Sequence, residues 1–169
     1  MARGGKDTII IGANGERNAA IRLTQGQLFD VIELGGNTPA FDLICRINDS
    51  SKPYHFLVQV KATETKIFTT TTPKRIKTPV PQIKYKPLQL RPVPTYIAGV
   101  NNLNGDVYIA PAFEPVNKYG GSVPTTYILS QGEKKESLRN LELLKQDVID
   151  YWEGLNIQTY KSSFKSALK

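Results

Sequence analysis

The chain has 169 residues, 40% of them apolar and 22% charged, and a formal net charge of +7. This length suits one well-buried core, and the basic balance favours a polyanionic partner such as nucleic acid. The single cysteine, Cys45, excludes a disulfide framework and a cysteine-based zinc site. The single histidine, His55, argues against a histidine-rich metal site or a Ser-His-Asp triad. The absence of a long apolar run or a secretory signal predicts a cytoplasmic protein without a membrane partner.

The first part of the chain is predicted to form one helix followed by strands. Residues 1–13 are predicted to be a tail with a short extended lead-in at 8–11. Asn14 can cap a helix, Glu16 suits the positive end of its dipole, and Gly26 can stop it. Apolar, β-branched runs bounded by turn residues then predict strands over 27–34, 41–47 and 54–63. The polar run 48–53 is predicted to join the last two strands as a hairpin.

The rest of the chain returns to core-type sequence after an unusual stretch. Residues 64–95 are rich in proline and threonine and are predicted to be an extended excursion from a single domain spanning 1–169, whose core comprises 14–63 and 95–152. The later elements are predicted to be strands at 96–100, 106–110 and 125–129, an amphipathic helix at 136–152 and a short helix after 157. This order predicts an α/β fold with a central mixed β-sheet flanked by helices.

Basic residues gather in the excursion, where no acidic residue separates them. They are Lys66, Lys74, Arg75, Lys77, Lys84, Lys86 and Arg91. Such a run is typical of a surface that binds the phosphate backbone of DNA. The alternative is a solvated loop whose lysines only maintain solubility.

Three polar residues interrupt apolar strands. The two-residue period of the strand 54–63 places Gln59 and Lys61 on one side, opposite Val58 and Val60. Asp42 interrupts the apolar run 41–45 in the same way. Because such groups are costly to bury without partners, we expect Asp42, Gln59 and Lys61 to converge if the two strands are neighbours.

The order of these polar residues resembles the core of the PD-(D/E)XK nuclease superfamily. Its members here are Glu16 on a helix, Asp42 at a strand start and Gln59-Val60-Lys61 on the next strand. The pattern is most similar to the Mrr-type restriction endonucleases and a related family of uncharacterised domains, which carry an Asp…Gln-x-Lys form of the motif. The resemblance spans roughly residues 15–63. It implies a restriction-endonuclease-like core and an Mg²⁺- or Mn²⁺-dependent DNA endonuclease of restriction, defence or repair that works as a homodimer.

The resemblance also assigns a role to each of these residues. Asp42 would be the main metal ligand, joined by the side-chain carbonyl of Gln59 and the backbone carbonyl of Val60. Lys61 would hold the attacking water or the scissile phosphate, and Glu16 would bind a second metal or orient water. These residue types suit the chemistry, because Mg²⁺ prefers oxygen ligands and an ammonium stabilises phosphate charge.

The sequence departs from the superfamily pattern at two places. Most members carry Asp or Glu at the position of Gln59, so the site has one anion fewer and depends more on Glu16. Ala40-Phe41 precedes Asp42 where the motif has proline. Three alternatives remain open: a catalytically inactive nuclease-fold module that binds nucleic acid or a protein, an interaction protein whose charge is directed at an acidic partner, and a purely structural Asp42–Lys61 ion pair. Glu16 is also explained by the helix dipole alone.

Overall fold

The structure, a computed structural model, describes residues 5–35, 41–49, 51–64, 74–76, 93–112, 122–132 and 134–155. Helix α1 spans Gly5–Thr24, a short 3₁₀ helix spans Gln25–Gln27, and helix α2 spans Lys135–Gly154. The strands are β1 (Phe29–Glu33), β2 (Leu43–Ile47), β3 (His55–Thr63), β4 (Arg75–Ile76), β5 (Thr95–Asn101), β6 (Asp106–Pro111), β7 (Val123–Pro124) and β8 (Ile128–Leu129).

The strands form the mixed sheet that the sequence predicts. Its order is β1-β2-β3-β5-β6-β8, with β3 and β5 parallel and the other neighbouring pairs antiparallel. The predicted hairpin is confirmed as β2 and β3, which align Leu43 with Val58. Parallel neighbours need a long crossover connection, and the sequence between β3 and β5 has the length for one. The two predicted core segments therefore meet at the β3–β5 pair.

Helix α1 begins earlier than predicted. Residues 5–13 are helical, so the prediction of a tail with an extended lead-in is wrong, and Asn14 lies inside the helix instead of capping it. Hydrogen bonds from the β5–β6 turn hold this part of α1, because Asn102 Nδ2 donates to the Ile11 carbonyl at 2.9 Å and Asn102 Oδ1 accepts from Asn18 Nδ2 at 3.1 Å. Such tertiary contacts override the weak local preference of isoleucine against helix. The predicted stop at Gly26 is confirmed by its positive φ of 73°.

The two faces of the sheet carry different layers. One face packs against α1 and α2 and contains the larger core cluster, with Leu23, Val58, Val100, Leu141 and Val148 among its buried residues. The predicted apolar stripe of α2 is confirmed. The opposite face carries a smaller cluster, in which the two-stranded sheet of β4 and β7 packs against the main sheet.

The boundaries of the later elements agree with the sequence within a few residues, and β8 is shorter than the predicted strand 125–129. The predicted helix after 157 and most of the excursion lie outside the described residues. Among the residues that are described, neither helix combines the length and apolarity needed to cross a bilayer.

Candidate active site

Asp42 lies directly before β2, next to the first residue that pairs with β3. Its backbone N–H donates to the Val58 carbonyl at 2.9 Å, which extends the strand ladder by one residue. Its carboxylate oxygen Oδ2 accepts from the Val60 N–H at 2.6 Å and from Gln59 Nε2 at 2.5 Å. Asp42 and Gln59 are 9% and 6% exposed. The predicted convergence of these two side chains is therefore present, and it occurs in a buried setting.

Gln59 and Lys61 lie on the face of the sheet opposite the helices. Gln59 aligns with Ile97 and Lys61 with Gly99 on β5, and Ile97 belongs to the cluster on that face. Val58 and Val60 belong to the core under the helices. The alternation predicted from the sequence is thus confirmed, and Asp42, which bonds Gln59 through its side chain, shares the face of Lys61.

Glu16 approaches the same end of the sheet from α1. The pKa of its carboxyl is raised, first by burial and then by the negative charges of Asp42 and Glu33, while the positive charge of Lys61 opposes the shift. Because Coulomb interactions fall with distance, Asp42, Glu33 and Lys61 lie close enough for their charges to act on the Glu16 carboxyl. The structure therefore brings Glu16 into one electrostatic cluster with the two predicted strand residues.

The close approach of α1 to β3 depends on Gly15. A Cβ on Gly15 would overlap the Cβ of Ala62 and would lie 3.7 Å from Val60 Cγ1. Any larger residue at position 15 would push the helix, and with it Glu16, away from the strand. The prediction that Asn14-Gly15-Glu16 begins a helix is therefore wrong, and Gly15 instead allows the helix to pack closely on the sheet.

Glu33 is a member of this cluster that the sequence did not indicate. It is the last residue of β1, which is aligned with β2 so that Glu33 faces Leu43, next to Asp42. An exposed glutamate at a strand end carries no distinctive local pattern. Its position at the end of the strand that precedes Asp42 is the signal in the sequence that could have indicated its place in the cluster.

The described part of the basic excursion lies on the face that carries Lys61. A Cβ on Gly99 would lie 2.6 Å from Ile76 Cγ2, so β4 packs directly on the strand position aligned with Lys61. Lys74 is exposed, as a phosphate-binding residue must be. Arg75 is buried at 3% exposure, and its Nη1 donates to the Ser122 carbonyl at 3.5 Å. Lys66, Lys77, Lys84, Lys86 and Arg91 lie outside the described residues.

The oxygen atoms near Asp42 suit a hard divalent cation. Gln59 Nε2 lies 2.5 Å from Asp42 Oδ2 and 3.4 Å from the Val60 carbonyl, so its partly positive NH₂ group sits beside two oxygens. If the Gln59 amide turned over, its own oxygen would join theirs, and the three would require a cation between them. In the described part of the chain, no group of three or more His, Cys, Asp or Glu side chains is placed to hold a metal. A cation here would thus depend on amide and backbone oxygens.

Cys45 and His55 occupy structural positions. Cys45 is fully buried under the helices, and burial raises the pKa of its thiol. The ring of His55 contacts that of Trp152, and Trp152 Nε1 donates to the His55 carbonyl at 2.8 Å.

Comparison with known proteins finds one structural likeness. No protein-family model matches the chain. No curated protein matches it in sequence. A solved structure of a bacterial homing endonuclease, I-Ssp6803I, is similar with a TM-score of 0.47 and 14% sequence identity, over 85% of this chain and 95% of that chain. At this identity, the roles of Asp42, Gln59 and Lys61 rest on the geometry of this chain alone.

Proposed function

We propose that this protein is a divalent-metal-dependent endonuclease that hydrolyses phosphodiester bonds in DNA. The observation that carries the proposal is the meeting of the Asp42 carboxylate, the Gln59 amide and the Val60 backbone where β2 leaves β3. Lys61 lies on the same face, and its charge and that of Asp42 both act on Glu16. Metal-dependent phosphodiester hydrolysis uses groups of these kinds: two carboxylates, neutral oxygens and an ammonium.

The donor set fits Mg²⁺ or Mn²⁺. Asp42, the turned amide of Gln59, the Val60 carbonyl and Glu16 would supply oxygen ligands. A cation bound among them would polarise a phosphoryl oxygen and lower the pKa of a bound water. Because Gln59 is neutral, Asp42 and Glu16 would provide the negative charge that holds the cation.

The remaining roles belong to the side chains themselves. Lys61 would donate hydrogen bonds to the scissile phosphate and offset its charge as the transition state forms. Glu16 would also orient the attacking water through a hydrogen bond. Asp42 would also keep the Gln59 side chain and the Val60 backbone in place through the hydrogen bonds that its carboxylate accepts.

DNA would reach the site from the face that carries β4. Lys74 is exposed beside that layer, and the rest of the basic set, Lys66, Lys77, Lys84 and Lys86, belongs to the same excursion. Contacts of this kind position a duplex through its phosphates without reading bases. By its resemblance to Mrr-type enzymes, the protein would act as a cytoplasmic homodimer in restriction, defence or repair.

Plasmid cleavage tests this proposal. Supercoiled DNA should be nicked or linearised in Mg²⁺ or Mn²⁺ and left intact in EDTA. Asp42→Asn and Lys61→Gln should each lower the rate about 100-fold or more, as loss of a charge-stabilising group does. Asp30→Asn and Lys52→Gln make the same chemical changes in exposed ion pairs, with Arg46 and Glu153, and should cleave like the parent. Cleavage that survives both site substitutions would contradict the proposal.

One observation favours a second candidate, an inactive module that binds nucleic acid or a protein. Asp42 Oδ2 already accepts hydrogen bonds from Gln59 and Val60, so this buried oxygen is satisfied without a cation. Under this alternative, DNA would be retarded in a gel but not cleaved with any divalent ion. Calorimetric titration with Mn²⁺ separates the two candidates. The nuclease should bind Mn²⁺ and lose this binding in Asp42→Asn, whereas the inactive module should show no Mn²⁺ binding at this site.

A further inference from the structure

A groove runs along the flank of α2, where that helix lies beside β6 and the short strand β8. Its volume is about 430 Å³, and Ile109, Leu143, Leu144 and Tyr127 are among its lining residues. Leu143 and Tyr127 are 45% and 43% exposed, which is high for large apolar side chains. Apolar surface of this kind, gathered in one concave place, is typical of a docking site.

The groove has the opposite charge from the chain as a whole. Its lining residues include two aspartates, Asp147 and Asp150, and no lysine or arginine among the described residues. The formal net charge of the protein is +7. On the floor, the hydroxyl of Tyr96 donates to Asp147 Oδ2 at 2.5 Å, which holds that carboxylate at the edge of the groove. The surface therefore fits a segment that is both apolar and basic.

The sequence beyond α2 has this chemistry. Residues 156–169 contain no acidic residue and three lysines, Lys161, Lys165 and Lys169. Their larger apolar residues fall at the spacing of one face of a helix and are Ile157, Tyr160, Phe164 and Leu168. Apolar and basic residues thus occur together in the stretch that leaves α2.

The position of the groove suits a segment that starts at the end of α2. Helix α2 ends at Gly154, and Leu155 follows in an extended conformation. The lining residues of α2 run from Asn140 to Asp150, a distance of roughly 15 Å at the rise of an α-helix. A reversal of the chain after Leu155 would carry the following residues back along this flank.

We propose that residues 156–169 occupy the groove of their own chain. The apolar side chains of this segment cover Leu143 and Tyr127, and its lysines lie against Asp147 and Asp150. Asp42, Gln59 and Lys61 lie on the other face of the sheet, and no residue of the proposed hydrolytic site lines the groove, so this proposal is independent of that site.

Disulfide trapping in the full chain tests the proposal. Phe164→Cys is combined with Leu143→Cys in the groove or with Leu103→Cys, a control position on the β5–β6 turn that is 53% exposed. Native Cys45 is fully buried, so it does not compete for oxidation. We expect the groove pair to form an intramolecular disulfide at least about tenfold faster than the control pair, because docking raises the effective concentration of the two thiols.

A charge reversal on the helix sharpens the test. Asp150→Lys in the groove should slow trapping severalfold, whereas Glu142→Lys, an exposed change on α2 outside the lining, should leave the rate unchanged. Equal trapping of the groove and control pairs would overturn the proposal. Disulfides between two chains instead of within one would also overturn it, because the occupant would then be a second copy.

Discussion

Gly15 of α1 lies against Ala62 of β3 at a separation that leaves no room for a side chain at position 15. This contact fixes the distance between the helix and the strand one residue before Glu16. It therefore links a packing feature of the fold to the position of a proposed site residue.

Substitution of Gly15 by alanine should cost both stability and activity. In an ordinary helix interior this change is stabilising by about 1 kcal/mol. Here the new Cβ would overlap Ala62, and overpacking of this kind costs about 1–3 kcal/mol. Denaturant unfolding measures the stability, and plasmid cleavage reports the displacement of Glu16.

The same helix and strand supply the controls for this substitution. Gly12→Ala adds a methyl group where no atom beyond its chain neighbours and the nearby helix backbone lies within 4 Å, so it should stabilise the protein by about 0.5–1 kcal/mol. Adding Ala62→Gly to Gly15→Ala removes the overlapping atom and should restore cleavage. If Gly15→Ala behaved like Gly12→Ala, the close contact would not control the helix position.

Removal of the Asp42 carboxylate should destabilise the fold as well as stop cleavage. Asp42→Ala leaves Gln59 Nε2 and the Val60 N–H without this acceptor, and an unsatisfied buried donor costs about 1–3 kcal/mol. Asp42→Asn keeps one oxygen and should cost less. Asp30→Ala, which breaks an exposed pair with Arg46, should change the free energy of unfolding by less than about 1 kcal/mol. A stabilising Asp42→Ala would show that the network is strained.

Substitution of Glu16 by glutamine should change the pH dependence of stability. The folded protein raises the pKa of this carboxyl above its ordinary value of 4.5, through burial and the charges of Asp42 and Glu33. The stabilising contribution of Glu16 is therefore complete below that value and is lost as pH rises through the raised pKa. We expect Glu16→Gln to melt at a higher temperature than the parent near neutral pH, with the difference shrinking in acid.

Thermal unfolding across this pH range provides the measurement. Glu142→Gln, an exposed substitution on α2, serves as the control and should leave the pH profile of the parent unchanged. A melting difference for Glu16→Gln that stayed constant from neutral to acid would mean that the Glu16 carboxyl does not titrate with a raised pKa.

Lys74, which directly precedes β4, and Arg75, its first residue, should respond differently to substitution. Lys74→Glu changes an exposed charge and should weaken DNA binding and reduce its dependence on salt concentration, with the melting temperature unchanged. Arg75→Glu places a carboxylate where a buried guanidinium bonds the Ser122 carbonyl, so it should lower the melting temperature. Fluorescence anisotropy at several salt concentrations measures the first effect. Unchanged affinity for Lys74→Glu would remove β4 from the DNA interface.

The sequence predicted the convergence of Asp42 and Gln59 because it depends on local patterns. Alternation placed Gln59 and Lys61 on one side of β3, and the turn after β2 implied the hairpin that brings Asp42 beside them. Both signals are contained in short stretches of chain, so neither required knowledge of distant contacts.

The features that the sequence did not predict depend on distant contacts. The first turns of α1 are held by Asn102, which lies far away in the chain. Arg75 is buried because β4 pairs with β7 and packs on Gly99, and nothing in its basic surroundings indicates this. Glu33 enters the cluster through the alignment of β1 with β2.

β3 and β5 are parallel neighbours in the main sheet, and the described part of the stretch between Thr63 and Thr95 contributes no strand to that sheet. Changes of length or sequence in that stretch can therefore accumulate without disturbing the strands that hold Asp42 and Lys61. Under the proposed function, related chains could change their target preference by exchanging this stretch, provided that Ile76 still packs on Gly99. The residues that contact DNA could then change while Asp42, Gln59 and Lys61 of the proposed site stay the same.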